Sequence, residues 1–81
     1  MIVRLLLQAE EDLDAITEPL RSEILERLNV LKRYPELGHP MDGPYTGYRL
    51  TVAGLFRIVY RLKSEHMIEI AYIRHARRHL S

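Results

Sequence analysis

Apolar and polar residues change rhythm along this chain, and each rhythm predicts a different element. Residues 2 to 7, IVRLLL, are apolar at all but one position, which predicts a strand buried on both faces. In QAEEDLDAIT the apolar Ala9, Leu13 and Ile16 recur at helical spacing among acids, which predicts a short helix. Pro19 opens a second helix, where a missing N–H costs nothing, and Thr17 is placed to cap it. Leu20, Ile24, Leu28 and Leu31 form its apolar stripe, with Leu25 beside it. Lys32 and Arg33 occupy its last turn, where the helix dipole favours cations, and Pro35 forbids continuation from Tyr34. The pair reads as a helical hairpin.

Residues 35 to 47, PELGHPMDGPYTG, hold three of the four prolines and three of the four glycines, and read as a loop crossing from helices to sheet. His39 lies in it as a loop residue. After it the period falls to two. Tyr48, Leu50 and Val52 alternate with polar or small residues; so do Phe56, Ile58, Tyr60 and Leu62, and again Ile68, Ile70 and Tyr72. All are even-numbered, so strand pairing must keep even opposite even if this face is the core. A three-residue loop, Ala53-Gly54-Leu55, satisfies that: it pairs Leu50 with Ile58 and Thr51 with Arg57. By the same reasoning Lys63-Ser64-Glu65 joins the next pair, setting Ile58 opposite Ile70 and Arg57 opposite Ala71. The expected fold is a single α+β domain over residues 1–81, two N-terminal helices packed on a four-stranded, mostly antiparallel sheet.

Composition narrows the class. An 81-residue chain builds one small core. It has no cysteine, so disulfides and thiolate metal sites are excluded, and its histidines lack ligand spacing; no metal and no cofactor is expected. No apolar run reaches membrane-spanning length and no signal peptide is evident, so a soluble cytoplasmic protein is expected. The net charge of +1 hides an asymmetry: residues 1 to 40 carry five basic and eight acidic residues (5 − 8 = −3), residues 41 to 81 seven and three (7 − 3 = +4).

The basic half falls on the sheet. The odd-numbered face is expected to carry Arg49, Thr51, Arg57, Val59, Arg61, Glu69 and Ala71, with Arg57 between the short side chains of Thr51 and Ala71. An arginine in such a groove is placed to fork onto a phosphate. Arg61 has a second possible role, as the partner of Glu69. YIRHARRHLS follows, adding Arg74, His75, Arg77, Arg78 and His79 at the sheet's end. Basic residues, a histidine that titrates near neutrality and several tyrosines suit an RNA substrate.

The order strand, helix pair, Pro/Gly loop, three strands resembles the RelE/ParE superfamily of toxin–antitoxin toxins. AEEDLDAI, LKRYPELGHPMDG, GLFRIVYRL and IEIAYIRHARR carry the resemblance, and the proline-opened second helix is similar to the RelE branch. The resemblance implies a ribosome-dependent mRNA endonuclease that promotes attack of a 2′-hydroxyl on the adjacent phosphate, is held inactive by a cognate antitoxin and has the ribosome and mRNA as partners. It places Arg57 on the family's phosphate-clamping arginine, Arg77 on or one residue from the second catalytic arginine with Arg78 as the other candidate, and His75 at a histidine common among relatives. Arg49 lies close to the basic residues of the second strand, and Arg61 and Arg78 join it as RNA-binding candidates. The family's strand lysines fall near Thr51 and Ala53 here, and proton transfer is left to His75 or a tyrosine, Tyr72 being nearest. Two alternatives stand beside this reading: a ParE-like inhibitor of DNA gyrase, which the missing lysines favour, and a degenerate member that only binds its antitoxin.

Overall fold

Five strands make one mixed sheet in the order β1-β5-β4-β3-β2, with both helices on one face. The structure, a computed structural model, describes residues 1–76. The elements are β1 (Ile2–Leu5), α1 (Leu7–Asp14), α2 (Leu20–Arg33), β2 (His39–Pro40), a 3-10 turn (Gly43–Tyr45), β3 (Arg49–Ala53), β4 (Phe56–Ser64) and β5 (Met67–His75). The α+β class and the helix pair are as expected. The fifth strand is the two-residue β2 inside the Pro/Gly loop, too short to leave a period, and it includes His39. Among the described strands only β1 and β5 run parallel.

The helical stripes form the expected core. Ala9, Leu13 and Ile16 join Ile24, Leu28 and Leu31 over Ala53, Phe56, Ile58, Tyr60, Ile68, Ile70 and Ile73. Leu25 stays largely outside. Thr17 makes no capping hydrogen bond; the Glu18 carboxylate instead accepts the Ser22 N–H (2.9 Å) and hydroxyl (2.7 Å). It thereby satisfies an orphan donor of the first turn, and these two bonds hold its pKa below the usual value. The first strand is not buried on both faces. It stops at Leu5 and lies at the sheet edge, so Val3 and Leu5 meet the core while Ile2 and Arg4 meet solvent.

Two departures reset the register of the sheet. First, the β3–β4 turn has two residues, Gly54 and Leu55, because Ala53 pairs with Phe56. Gly54 has φ +58 and no other residue type in the described chain has positive φ, the signature of a type II′ hairpin. Thr51 therefore pairs with Ile58 and Val52 with Arg57, so β3 turns its odd residues inward. Thr51 and Ala53 are small enough to let α2 approach closely; a Cβ on Gly54 would lie 2.5 Å from the Glu23 carboxylate of α2. Val52, read as core, is 49% exposed. Second, Val59 pairs with Tyr72 but Tyr60 pairs with Ile70, so Ala71 is an extra residue on β5. This bulge turns Ile73 into the core and Tyr72 out of it, the reverse of the expected pattern. Arg57 therefore faces Arg74, not Ala71. A further irregularity at Lys63 leaves Ser64 opposite Met67, with Glu65 and His66 as the turn.

Buried polar groups pin the crossover between α2 and β3. The fully buried Tyr60 donates its hydroxyl to the Pro35 carbonyl (2.8 Å) and accepts the Gly38 N–H (2.8 Å). Arg49 donates to the carbonyls of Gly38 (2.8 Å) and Glu36 (3.2 Å) from the same side. Gly38 sits so close that a Cβ there would meet the Tyr60 ring at 2.8 Å and the Leu50 carbonyl at 2.9 Å.

Three outcomes follow from this pin. Tyr60→Phe leaves a buried N–H and C=O without their partner and should cost about 1–3 kcal/mol in denaturant unfolding. Gly38→Ala should cost on the order of 1–3 kcal/mol by overpacking. Burial also raises the Tyr60 pKa above its ordinary 10.0. The folded state thus holds this proton more tightly than the unfolded chain, and the associated stability is complete below pH 10 and lost as pH rises toward the folded value. The stability difference between wild type and Tyr60→Phe, followed by thermal melts, should shrink as pH is raised past 10.

Candidate functional site

The face of the sheet away from the helices is the candidate site, and the Ala71 bulge decides what it holds. Across its middle run Val52 of β3, Arg57 of β4 and Arg74 of β5, directly opposite one another. The next row is Leu50, Val59 and Tyr72, followed by Arg61 and Glu69. Arg4 of β1 pairs with Glu69 on its other side. In these rows the open face carries four arginines, Arg4, Arg57, Arg61 and Arg74, against the single acid Glu69, an excess of 4 − 1 = +3.

The arginines are not equivalent. Arg61 is committed: its Nε and NH2 lie 3.0 and 2.9 Å from one oxygen of Glu69, and its guanidinium lies 5.6 Å from the centre of the Tyr48 ring. Glu69 is only 5% exposed, and Arg4 stands 3.9 Å from its second oxygen. The pair is directly cross-strand. Arg74 is partly committed: Nε is 3.6 Å from Asp12, and the guanidinium sits 5.1 Å from the Tyr72 ring centre. Asp12 is itself fixed. It accepts the Ile73 N–H at 2.8 Å, a donor beyond the end of β1 with no strand beside it, and a Gln8 N–H at 2.9 Å. Arg57 is half-buried and, among the described residues, has no hydrogen bond or ion pair. Two cations directly opposite repel. Asp12 and the Tyr72 ring draw off part of Arg74's charge, but nothing comparable serves Arg57, so the centre of the face favours an anion.

Tyr72 stands beside this pair. Burial pushes its phenol pKa up, the neighbouring Tyr45 hydroxyl pushes it further, and Arg74 and Arg57 oppose the shift without reversing it. At neutral pH it is a protonated hydrogen-bond donor beside two guanidiniums. Tyr45, from the 3-10 turn, meets it edge-on with ring centres 6.4 Å apart.

The structure separates the other sequence candidates from this centre. Arg49 points to the opposite side, held by the Glu36 and Gly38 carbonyls, because β3 has the other parity. His75 also lies on the helix side, past the bulge in step with Ile73, its ring 5.3 Å from that of Phe56. It lines a groove of about 450 Å³ with Glu11, Asp12, Ile16 and Phe56, which Arg74 reaches from the sheet edge but Arg57 does not. Arg77 and Arg78 lie outside the described residues. The place of Arg74 opposite Arg57 and the outward position of Tyr72 escaped the sequence reading, which had Arg74 only among the basic residues at the sheet's end. The signal was present in the isoleucines: Ile68 and Ile70 are two apart, Ile70 and Ile73 three, which alternation allows only if one residue between them is extra.

Among the described residues no group of three or more His, Cys, Asp or Glu could hold a metal ion, and no helix is long and apolar enough to cross a membrane.

Residues 3–80 match the model of the ParE toxin of the parDE type II toxin–antitoxin system. No curated protein matches the chain. Among solved structures it is similar to the RelBE2 toxin–antitoxin complex of Mycobacterium tuberculosis, with 26% identity, coverage of 90% of this chain and 94% of that one, and a TM-score of 0.82. It is also similar to the chromosomal ParDE system of P. aeruginosa (23% identity, 93% and 95% covered, TM-score 0.73). The intact E. coli RelBE complex shares the fold at 12% identity, with 91% and 94% covered and a TM-score of 0.74. The chain belongs to the ParE toxin family, and is a type II toxin–antitoxin toxin of the RelE/ParE superfamily.

Proposed function

We infer that this toxin is a RelE-like, ribosome-dependent mRNA endonuclease that inhibits translation until its cognate antitoxin covers it. The observation that carries this reading is the Arg57–Arg74 pair: two arginines on directly opposite strand positions, one with no hydrogen bond or ion pair among the described residues, beside a protonated tyrosine. That arrangement suits a phosphodiester. The RNA 2′-hydroxyl attacks the adjacent phosphorus and the bond to the 5′-oxygen breaks. Arg57 and Arg74 neutralise the charge that builds on the phosphate oxygens. The Tyr72 phenol, a far stronger acid than the departing ribose hydroxyl, gives its proton to the 5′-oxygen, and the 2′-hydroxyl proton leaves to water. Arg77, outside the described residues, is taken as a further cation of the reaction on the family resemblance alone. Arg61 attracts the strand weakly because Glu69 already holds it, and Arg78, outside the described residues, is kept as an RNA-binding residue on the resemblance alone. Arg49 supports the fold beneath the site and reaches RNA only by its field.

His75 is the exception. Its place across the sheet from Arg57 separates it from a phosphate held on the open face, so among the described residues a second proton-transfer group is missing from the centre. Such a group is worth roughly 10²–10⁴-fold in rate, which points to a slow nuclease. The same observation, with the ParE family match, favours a second reading in which the toxin inhibits DNA gyrase by binding alone.

Induced expression followed by mapping of mRNA 5′ ends tests the choice. Wild type should arrest growth and leave new ends inside translated codons. Arg57→Ala should lose about 10²–10³-fold in cleavage rate. Tyr72→Phe should lose roughly 10²-fold or more while binding RNA as tightly as wild type. Growth arrest with intact mRNA and inhibited supercoiling would replace the nuclease with the gyrase reading.

A further inference from the structure

Tyr45 bears on the phosphate chemistry only through its hydroxyl beside Tyr72, yet its ring is held with care. It ends the 3-10 turn in a short loop whose backbone is internally bonded: Tyr45 N–H to Asp42 (3.3 Å), Thr46 N–H to Gly43 (3.1 Å) and Tyr48 N–H to Tyr45 (2.9 Å). The Thr46 hydroxyl adds a bond to the Gly43 carbonyl (2.8 Å), and the Met41 N–H to Tyr48 (2.9 Å) closes the loop's base. The loop is stiff, but the ring it presents is 44% exposed. It leans over the open face and touches Tyr72, the residue beside the Arg57–Arg74 pair.

The two tyrosines cannot serve as one stacking surface, because their planes stand at 67°. A face of the Tyr72 ring is occupied by the Arg74 guanidinium, 5.1 Å from its centre. Among the described residues Tyr45 is therefore the aromatic ring near the cation pair that has exposed surface to offer. A rigid aromatic next to guanidiniums that take a phosphate is the minimal recognition unit for a nucleotide: charge for the backbone, a π-face for the base. We propose that Tyr45 is a nucleobase-stacking subsite for single-stranded RNA, taking the base of the nucleotide whose phosphate lies on Arg57 and Arg74. This rests on the nuclease reading and adds to it a base-binding position on the loop between β2 and β3. Stacking on a tyrosine does not read hydrogen bonds, so the subsite accepts any base and favours purines through their larger face.

The probe is an RNA trinucleotide with 2′-fluoro sugars, which cannot be cleaved because the attacking hydroxyl is gone, and with 2-aminopurine as its central base. Stacking quenches 2-aminopurine fluorescence. Wild type should bind the probe with quenching. Tyr45→Phe should do the same, since the ring is kept. Tyr45→Ala should lose the quench and bind roughly 5- to 150-fold more weakly, the range for one stacked base. Ribose 5-phosphate, which has a phosphate and no base, should bind wild type and Tyr45→Ala equally in NMR titrations, and this equality also shows that the variant is folded. Equal weakening of both ligands, or a quench that survives in Tyr45→Ala, would overturn the subsite. If Arg57→Ala alone loses the trinucleotide, the subsite falls and the nuclease reading stands. If wild type binds neither ligand, both fall.

Discussion

One unpaired residue in β5 decides which side chains the open face of this toxin presents. Ala71 has no partner on β4, so the alternation of inward and outward side chains restarts one position late. Without that shift Tyr72 would lie under the helices, Ile73 would face solvent and Arg74 would point into an apolar core. With it, the core gains an isoleucine and the open face gains a tyrosine and an arginine. The displaced strand also leaves the Ile73 N–H beyond the reach of β1, and Asp12 of α1 takes it. The same carboxylate faces Arg74. The bulge, the helix that seals it and the arginine that faces Arg57 are thus one connected arrangement.

The division of labour among the arginines follows from what surrounds each. Arg49 and Arg61 occupy strand positions beside acceptors and spend their charge there, one on loop carbonyls and one on a buried glutamate. Arg61 would gain little by leaving its partner for an exposed phosphate, since the buried Glu69 carboxylate left unpaired costs more than the new bond returns. Arg57 has Val52 on one side and another cation on the other, so an incoming anion relieves repulsion instead of breaking a pair. This is why a chain of net charge +1 has a locally cationic site.

Much of the fold was legible in the sequence. The stripes of both helices, the Pro/Gly crossover and the three long strands follow from periodicity, and the central place of Arg57 on the open face follows from alternation along β4. The register of its neighbours did not follow. On β3 the apolar residues Tyr48, Leu50 and Val52 outweighed Thr51 and Ala53, yet the small residues lie inward because α2 needs the space above them. Apolar character marks a core face only where nothing crowds it. On β5 a strict period of two was carried through a bulge, which exchanged Tyr72 for Ile73. Tyr45 left no periodic signal at all, since it acts from a loop folded by its own backbone bonds.

The most direct measurement is an NMR titration of the side-chain Nε–H groups with pyrophosphate, each arginine assigned by substitution. If the bulge builds one anion site, Arg57 and Arg74 must shift together along a single binding curve, with the Tyr72 ring following, while Arg49 and Arg61 stay fixed on their partners. Shifts at Arg49 or Arg61 with Arg57 and Arg74 unmoved would contradict it, and would put the anion on a different surface of the sheet.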